Sequence, residues 1–267
     1  MCEFAKRFEF ETRHGQTACC FGAPIGARNT QHKVSSIAAL AVLSFAMLCF
    51  AAGCGDGSSG PMSASESAAY EGLREMGALV IKSGTHPATV SMTEVKTDID
   101  KAIEYVGQLP FVTHLELTGL PVTDEHMKTV CGTGRINSLV LTGTQVTDEG
   151  LKTAAGLSLN TLYVDKSQIT GAAMKTLGTM SGLEILDISG LDLSDISPLA
   201  SLSELEWLIM DNSDVSSEAL EVVAKLPGIL RLSINGSNYA EADLQKLKSA
   251  KPSLKIDRTE AAPAVAQ

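Results

Sequence analysis

One phrase constrains the fold of this chain more than any other, because it recurs. Residues 139–148 read Leu-Val-Leu-Thr-Gly-Thr-Gln-Val-Thr-Asp, and altered copies follow one another from about residue 90 to residue 256. Aligned on the first leucine of the Leu-x-Leu core, the anchors are Leu115, Leu139, Leu162, Leu186, Leu208, Leu232 and Leu254. The steps between them are 24, 23, 24, 22, 24 and 22 residues. Four more columns stay apolar. Two residues after the anchors come Leu117, Leu141, Val164, Ile188, Met210, Ile234 and Ile256. Three before come Val112, Ile136, Leu159, Leu183, Leu205 and Ile229. Seven after come Val122, Val146, Ile169, Leu193, Val215 and Tyr239, and twelve or thirteen after come Met127, Leu151, Met174, Leu199, Leu220 and Leu244.

The spacing dictates local structure. A Leu-x-Leu pair has period two, so both side chains leave one face of a short strand. Leu151 with Ala154, and Leu220 with Val223, are three apart and fit a helix face. Thr123-Asp124 and Thr147-Asp148 supply a capping side chain and an early negative charge at the helix start. One copy is therefore a strand, a bend and a short helix. No single copy can bury its apolar side, so stability must come from stacking neighbours.

A period in the low twenties built on Leu-x-x-Leu-x-Leu resembles the leucine-rich repeat, over roughly residues 88 to 256. Val146 to Leu151, Val-Thr-Asp-Glu-Gly-Leu, is similar to the helix-bearing repeats of that family. Asp195 to Leu199, Asp-Ile-Ser-Pro-Leu, is similar to the shorter internalin-type repeat. There Ser197 can cap and Pro198 suits the first helical position, which predicts a tighter 3₁₀ turn. The resemblance implies an α/β solenoid, right-handed and curved, with parallel strands on the concave face and short helices on the convex face. One departure stands out. Where the family carries an inward Asn, this chain has Leu120, Thr144, Ser167, Leu191, Ser213 and Ser237. Backbone groups at that bend must then find hydroxyls, water or each other.

Before the repeats, residues 1–53 read as a leader. They carry five Lys or Arg, and 34–52 form a 19-residue stretch without charge. A basic flank, an apolar core and small residues before a break are the marks of an export signal. Ala51-Ala52-Gly53-Cys54 resembles the bacterial lipobox, which implies lipidation of Cys54 and a membrane-anchored protein of the cell envelope, facing the periplasm or exterior. The same stretch is long enough to span as a retained helix. Either reading puts the repeats outside the cytoplasm. Residues 54–64 are Gly/Ser-rich and read as a flexible tether. Residues 65–110 read as an N-terminal cap with an irregular first repeat, in which Val90 and Met92 take the Leu-x-Leu role. Within it, 66–76 and 98–109 are helical by spacing, and 78–81 and 88–92 are strands. Residues 111–257 are the repeats, and 258–267 an Ala/Pro-rich disordered tail.

Composition narrows function. The net charge is −10, which argues against nucleic acid as a partner. The chain shows no Gly-x-Ser-x-Gly, no phosphate loop, no His-Glu-x-x-His and no Cys/His metal spacing, so no enzyme, metal or cofactor is implied. Cys131 fits a small core residue. Asn235-Gly236-Ser237 matches a glycosylation sequon but fits a turn. What remains is the strand face. Register places His114, Ser138, Thr161, Ile185, Trp207 and Arg231 one residue before the anchors and facing solvent. Glu116, Val140, Tyr163, Asp187, Ile209 and Ser233 follow one after, and Asp165 and Asp211 three after. The middle of the array gathers Tyr163, Ile185, Trp207 and Ile209 beside Asp165, Asp187 and Asp211. Apolar groups rimmed by charge have the make-up of a patch for a protein ligand, here a basic one. The competing reading is a solvated face on a structural component of the envelope, with no discrete ligand.

Overall fold

The structure is a computed structural model that describes residues 60–191 and 194–259. The leader, Cys54 and residues 260–267 lie outside that range.

Among the described residues nine strands form one sheet in chain order. They are β1 (Leu79–Ser83), β2 (His86–Ser91), β3 (His114–Glu116), β4 (Ser138–Val140), β5 (Thr161–Tyr163), β6 (Ile185–Asp187), β7 (Trp207–Ile209), β8 (Arg231–Ser233) and β9 (Lys255–Asp257). The first two pair antiparallel and every later pair is parallel. Helices alternate with the strands: α1 (Ala64–Glu75), α2 (Ile99–Gly107), α3 (Asp124–Gly132), α4 (Asp148–Ala154), α5 (Met174–Leu177), α6 (Ser217–Lys225) and α7 (Glu241–Ala250). Between β6 and β7 the helix is replaced by a 3₁₀ turn, Ser197–Ser201, in the internalin-like copy. Its cap differs from expectation. Ser197 makes no side-chain cap; instead its N–H donates to Asp195 Oδ1 at 2.9 Å. The fold is a leucine-rich-repeat α/β solenoid.

The anchors from Leu115 to Leu232 are fully buried, and their partners Leu117, Leu141, Val164, Ile188, Met210 and Ile234 are equally so. With the helix leucines they form a single core between strands and helices. Val90 pairs with Leu115, and Met92 is buried beside it, as their assigned role requires. The last anchor is corrected. Leu232 stands opposite Ile256, not Leu254, so the final step is 24 residues. Lys255-N–H bonds to Leu230 C=O at 2.9 Å, as Arg231 does to Glu206 one repeat earlier. Leu254 is buried nonetheless, just before the strand.

Two bend columns follow each strand. Four residues after the anchors the backbone is left-handed in every copy from β3 to β8: Gly119, Gly143, Lys166, Gly190, Asn212 and Gly236. This turn lets Gly119 and Gly143 donate to Thr142 and Asp165 of the next repeat, at 2.8 and 2.9 Å. Lys166 alone takes that conformation with a long side chain that has no special tolerance for it. In the next column hydroxyls replace the missing Asn. Thr144 Oγ1 donates to Leu141 C=O at 2.7 Å, Ser167 Oγ to Val164 C=O at 2.6 Å, and Ser237 Oγ to Met210 C=O at 2.7 Å.

Helix starts are tied across repeats. Asp124 accepts from Thr147 N–H at 2.9 Å and from its hydroxyl at 2.7 Å. Asp148 does the same for Thr170, at 2.8 and 2.7 Å. One repeat earlier His126 takes over: its Nδ1 accepts from Thr123 N–H at 3.0 Å, and its Nε2 lies 2.7 Å from Asp100. Gly150 is needed here for space, since a Cβ would strike Asp124 Oδ1 and come within 2.7 Å of Val146 Cγ1.

Leu139→Ala and Leu186→Ala are expected to cost about 2–5 kcal/mol each in urea unfolding. Gly150→Ala is expected to destabilise despite alanine's better helix propensity. Lys166→Gly is expected to stabilise by about 1 kcal/mol, the relief of the left-handed backbone.

Candidate functional site

Because the anchors point inward, the residues on either side of them point to the opposite, helix-free face of the sheet. Strand register turns these into rows. Thr161, Ile185 and Trp207 stand side by side, as do Tyr163, Asp187 and Ile209, on β5, β6 and β7. Neighbouring strands are about 4.8 Å apart, so the six side chains are contiguous. Asp165 and Asp211 lie two residues beyond, at the ends of β5 and β7.

The face is less open than the sequence suggests. Val140 and Ile209, expected to face solvent, are buried, with 2% and 7% exposure. Glu116, Ser138, Thr161 and Ser233 are buried too. Tyr163, Asp165, Ile185, Asp187, Trp207 and Asp211 are half-buried, and Arg231 is exposed. The physical reason is mutual cover: on a sheet of three-residue strands each side chain is flanked on both sides, Val140 by Glu116 and Tyr163, and Ile209 by Asp187 and Ser233. Ile209 therefore stands in the row of the patch but is too buried to line it.

Polar contacts tie the acids down. Asp165 accepts from the Thr142 hydroxyl at 2.5 Å. Asp211 accepts from Ser233 Oγ and Asn235 N–H, both at 2.7 Å. The Asn235 amide also donates to Ser233 Oγ at 2.8 Å, so the sequon asparagine is engaged in the bend. Further along, Glu116 accepts from Ser91 Oγ at 2.7 Å. Asp187 accepts from Ser189 N–H at 2.9 Å. Burial pushes its carboxyl up to about 7, and Asp165 and Asp211 add to the rise while Ser189 opposes it. Burial likewise lifts the Tyr163 phenol to about 12, with Asp187 and Asp165 adding to it.

Trp207 carries a cation on its ring: the Arg231 guanidinium lies 4.2 Å from the ring centroid. Arg231 is held in turn by Asp257, to which its Nε donates. The row before the anchors has a second property. His114 Nε2, Ser138 Oγ, Thr161 Oγ1 and Trp207 Nε1 are buried without a hydrogen-bond partner among the described residues. Burial also lowers the His114 pKa, which disfavours the charged ring.

Nothing in the described residues groups three His, Cys, Asp or Glu as a metal would need. Cys131 is half-buried and packs against the core, and burial raises its thiol to about 11, away from reactivity.

No protein-family model and no curated protein matches this chain. Solved structures do. An internalin C2 from Listeria monocytogenes str. 4b F2365 aligns with a TM-score of 0.52 and 24% identity, covering 73% of this chain and 92% of that one. An internalin, inlF, from the same strain aligns with a TM-score of 0.50 and 23% identity, covering 65% of this chain and 53% of that one. This chain thus spans about half the length of the second. The likeness is one of fold.

The raised Asp187 has a signed consequence. Its folded pKa lies above the ordinary 3.8, so the folded chain binds the proton more tightly than the unfolded one. The stability contribution of the neutral acid is present below about pH 4 and is lost as pH rises through about 7. Asp187→Asn is expected to raise Tm at about pH 8 and to change it little near pH 4, leaving a flatter profile.

Proposed function

We propose that this chain is an exported, membrane-tethered binding module that grips a protein partner through the strand face of its repeats, and is not an enzyme. In this reading residues 1–53 are the leader and Cys54 carries the lipid. The segment 54–64 is the tether, 65–110 the cap with a first irregular repeat, 111–257 the repeats, and 258–267 a disordered tail. No helix among the described residues is long and apolar enough to cross a membrane.

The observation that carries the reading is the block on β5–β7. Tyr163, Ile185 and Trp207 present half-buried aromatic and aliphatic surface beside Asp165, Asp187 and Asp211, with buried Ile209 next to Asp187 in the same row. Tryptophan is over-represented among the residues that dominate binding energy. Unpaired buried polar atoms are costly to a surface that serves only structure, at about 1–3 kcal/mol each. The row holding Thr161 and Trp207 keeps four of them. The acidic residues favour a partner bearing Lys or Arg, with association weakened by salt. The internalin structures support the fold on which this reading rests and go no further.

A second reading has its own observation. Asp165 and Asp211 spend acceptor capacity on Thr142, Ser233 and Asn235 within the sheet. That is how a self-contained face behaves, and it favours a structural element of the envelope.

The two readings separate in a pull-down from envelope extract with the full chain as bait. The binding reading expects a discrete partner whose recovery falls steeply with Trp207→Ala, by about 2 kcal/mol or more in affinity. Asp211→Lys is expected mainly to slow association. Capture of nothing but further copies of the chain, unchanged by Trp207→Ala, would replace it with the envelope-element reading.

A further inference from the structure

Large apolar side chains are exposed at three places among the described residues: Leu79, Ile81 and Leu230. Two of the three sit on β1, which among the described residues pairs with β2 alone. Their direction follows from register. Val80 stands opposite buried Val90, over the core, so Leu79 and Ile81 leave on the opposite face, with Ser91 and Thr89. Leu79 is 58% exposed, more than any other large apolar residue of the described chain.

Soluble proteins blunt such an edge with charge, bulges or a covering element. Here the bulge at Ile81/Lys82 and one lysine are all that β1 offers. That lysine does not stand over the apolar pair. Its ammonium lies 3.9 Å from the centroid of Tyr70 on α1, and the Arg74 guanidinium lies 5.4 Å from the same ring. Lys82 therefore lies with Tyr70 on the helix side of β1, and no charge of this strand screens Leu79 and Ile81 on the other side.

The path of the chain supplies the occupant. Thr85, in the turn between β1 and β2, donates its hydroxyl to Gly60 C=O at 2.9 Å. Residue 60 is thereby held beside the hairpin. Cys54 is six residues earlier, and six extended residues reach no more than about 22 Å. A lipid on Cys54 therefore keeps the hairpin within about that distance of the bilayer surface. Leu230, just before β8, lies seven strand spacings away, about 34 Å along the sheet. The acidic centre on β5–β7 is repelled by an anionic surface, which favours an orientation with the β1 end down.

We propose that the β1 edge, through the exposed pair Leu79 and Ile81, rests in the lipid interface of the membrane that holds the anchor. This rests on the lipidation of Cys54. The contact lies six strand spacings from Trp207, about 29 Å along the sheet, so that the block on β5–β7 stays clear of the membrane and open to a partner.

Trp207 is the only tryptophan, which makes the test direct. The full chain is produced with its leader in bacteria, and the processed protein is incorporated into phosphatidylcholine–phosphatidylglycerol vesicles whose acyl chains carry bromine, a contact quencher of indole. Mass spectrometry of the mature N-terminus reads the lipid on Cys54. With Trp207→Phe and Leu79→Trp combined, most of the emission should be lost in brominated vesicles. Leu230→Trp in the same background, and Trp207 in the unaltered chain, should keep theirs. An unquenched Leu79→Trp on a chain with lipidated Cys54 overturns the proposal and leaves the anchor standing. If that unquenched emission is also blue-shifted, another strand covers the edge, from a peptide partner or a second copy. If Cys54 carries no lipid, the anchor and the proposal fall together.

Discussion

Each turn of this chain is held by the next one, and the rest of the structure depends on that dependence. A single strand-bend-helix unit leaves its anchor leucine half covered; two neighbours close it. The result is a column of fully buried side chains from Val90 to Leu232, one per strand. Everything on the outer face inherits its position from that column. When Leu186 points inward, Ile185 and Asp187 have no choice but to point out, and the next strand repeats the rule.

Hydrogen bonds across repeats make the stack specific rather than merely apolar. The left-handed bend aims a backbone N–H at the following repeat, and the Asp124–Thr147 and Asp148–Thr170 contacts align successive helix starts. Where the helix shrinks to the turn at Ser197–Ser201, spacing tightens and Gly178 lies against the backbone of Pro198. A Cβ on Gly178 would approach the Pro198 carbonyl carbon to 2.9 Å. The short repeat is accommodated by a missing side chain one repeat earlier.

Much of this was legible in the sequence. Leu-x-Leu periodicity identified every anchor from Leu115 to Leu232, while the loss of the inward Asn left hydroxyls, water or other backbone groups as substitutes, among which Thr144 and Ser237 supply hydroxyls. The final strand was misread because Leu254-Lys-Ile256 alternates, so two registers satisfy the pattern equally. Only the pairing with β8 selects Ile256. The left-handed column was overlooked although Gly119, Gly143, Gly190 and Gly236 stood in the sequence at one spacing. Lys166 and Asn212 interrupt it and hide the regularity. Burial on the strand face was beyond the pattern altogether. Period two says that Val140 and Ile209 point outward, but whether they reach water depends on which side chains the neighbouring strands set beside them. The perturbed Asp187 has the same origin, since its environment comes from β5 and β7 rather than from its own strand.

β3 to β8 form one cooperative stack whose face is positioned by its core. Hydrogen exchange of the intact chain, read strand by strand, measures this most directly. The account predicts that the slowest amides of β3 through β8 open together, in a single global event, and that Leu162→Ala weakens protection on β4 and β6 as much as on β5. Strands that open one at a time, with the loss after Leu162→Ala confined to β5, would contradict it.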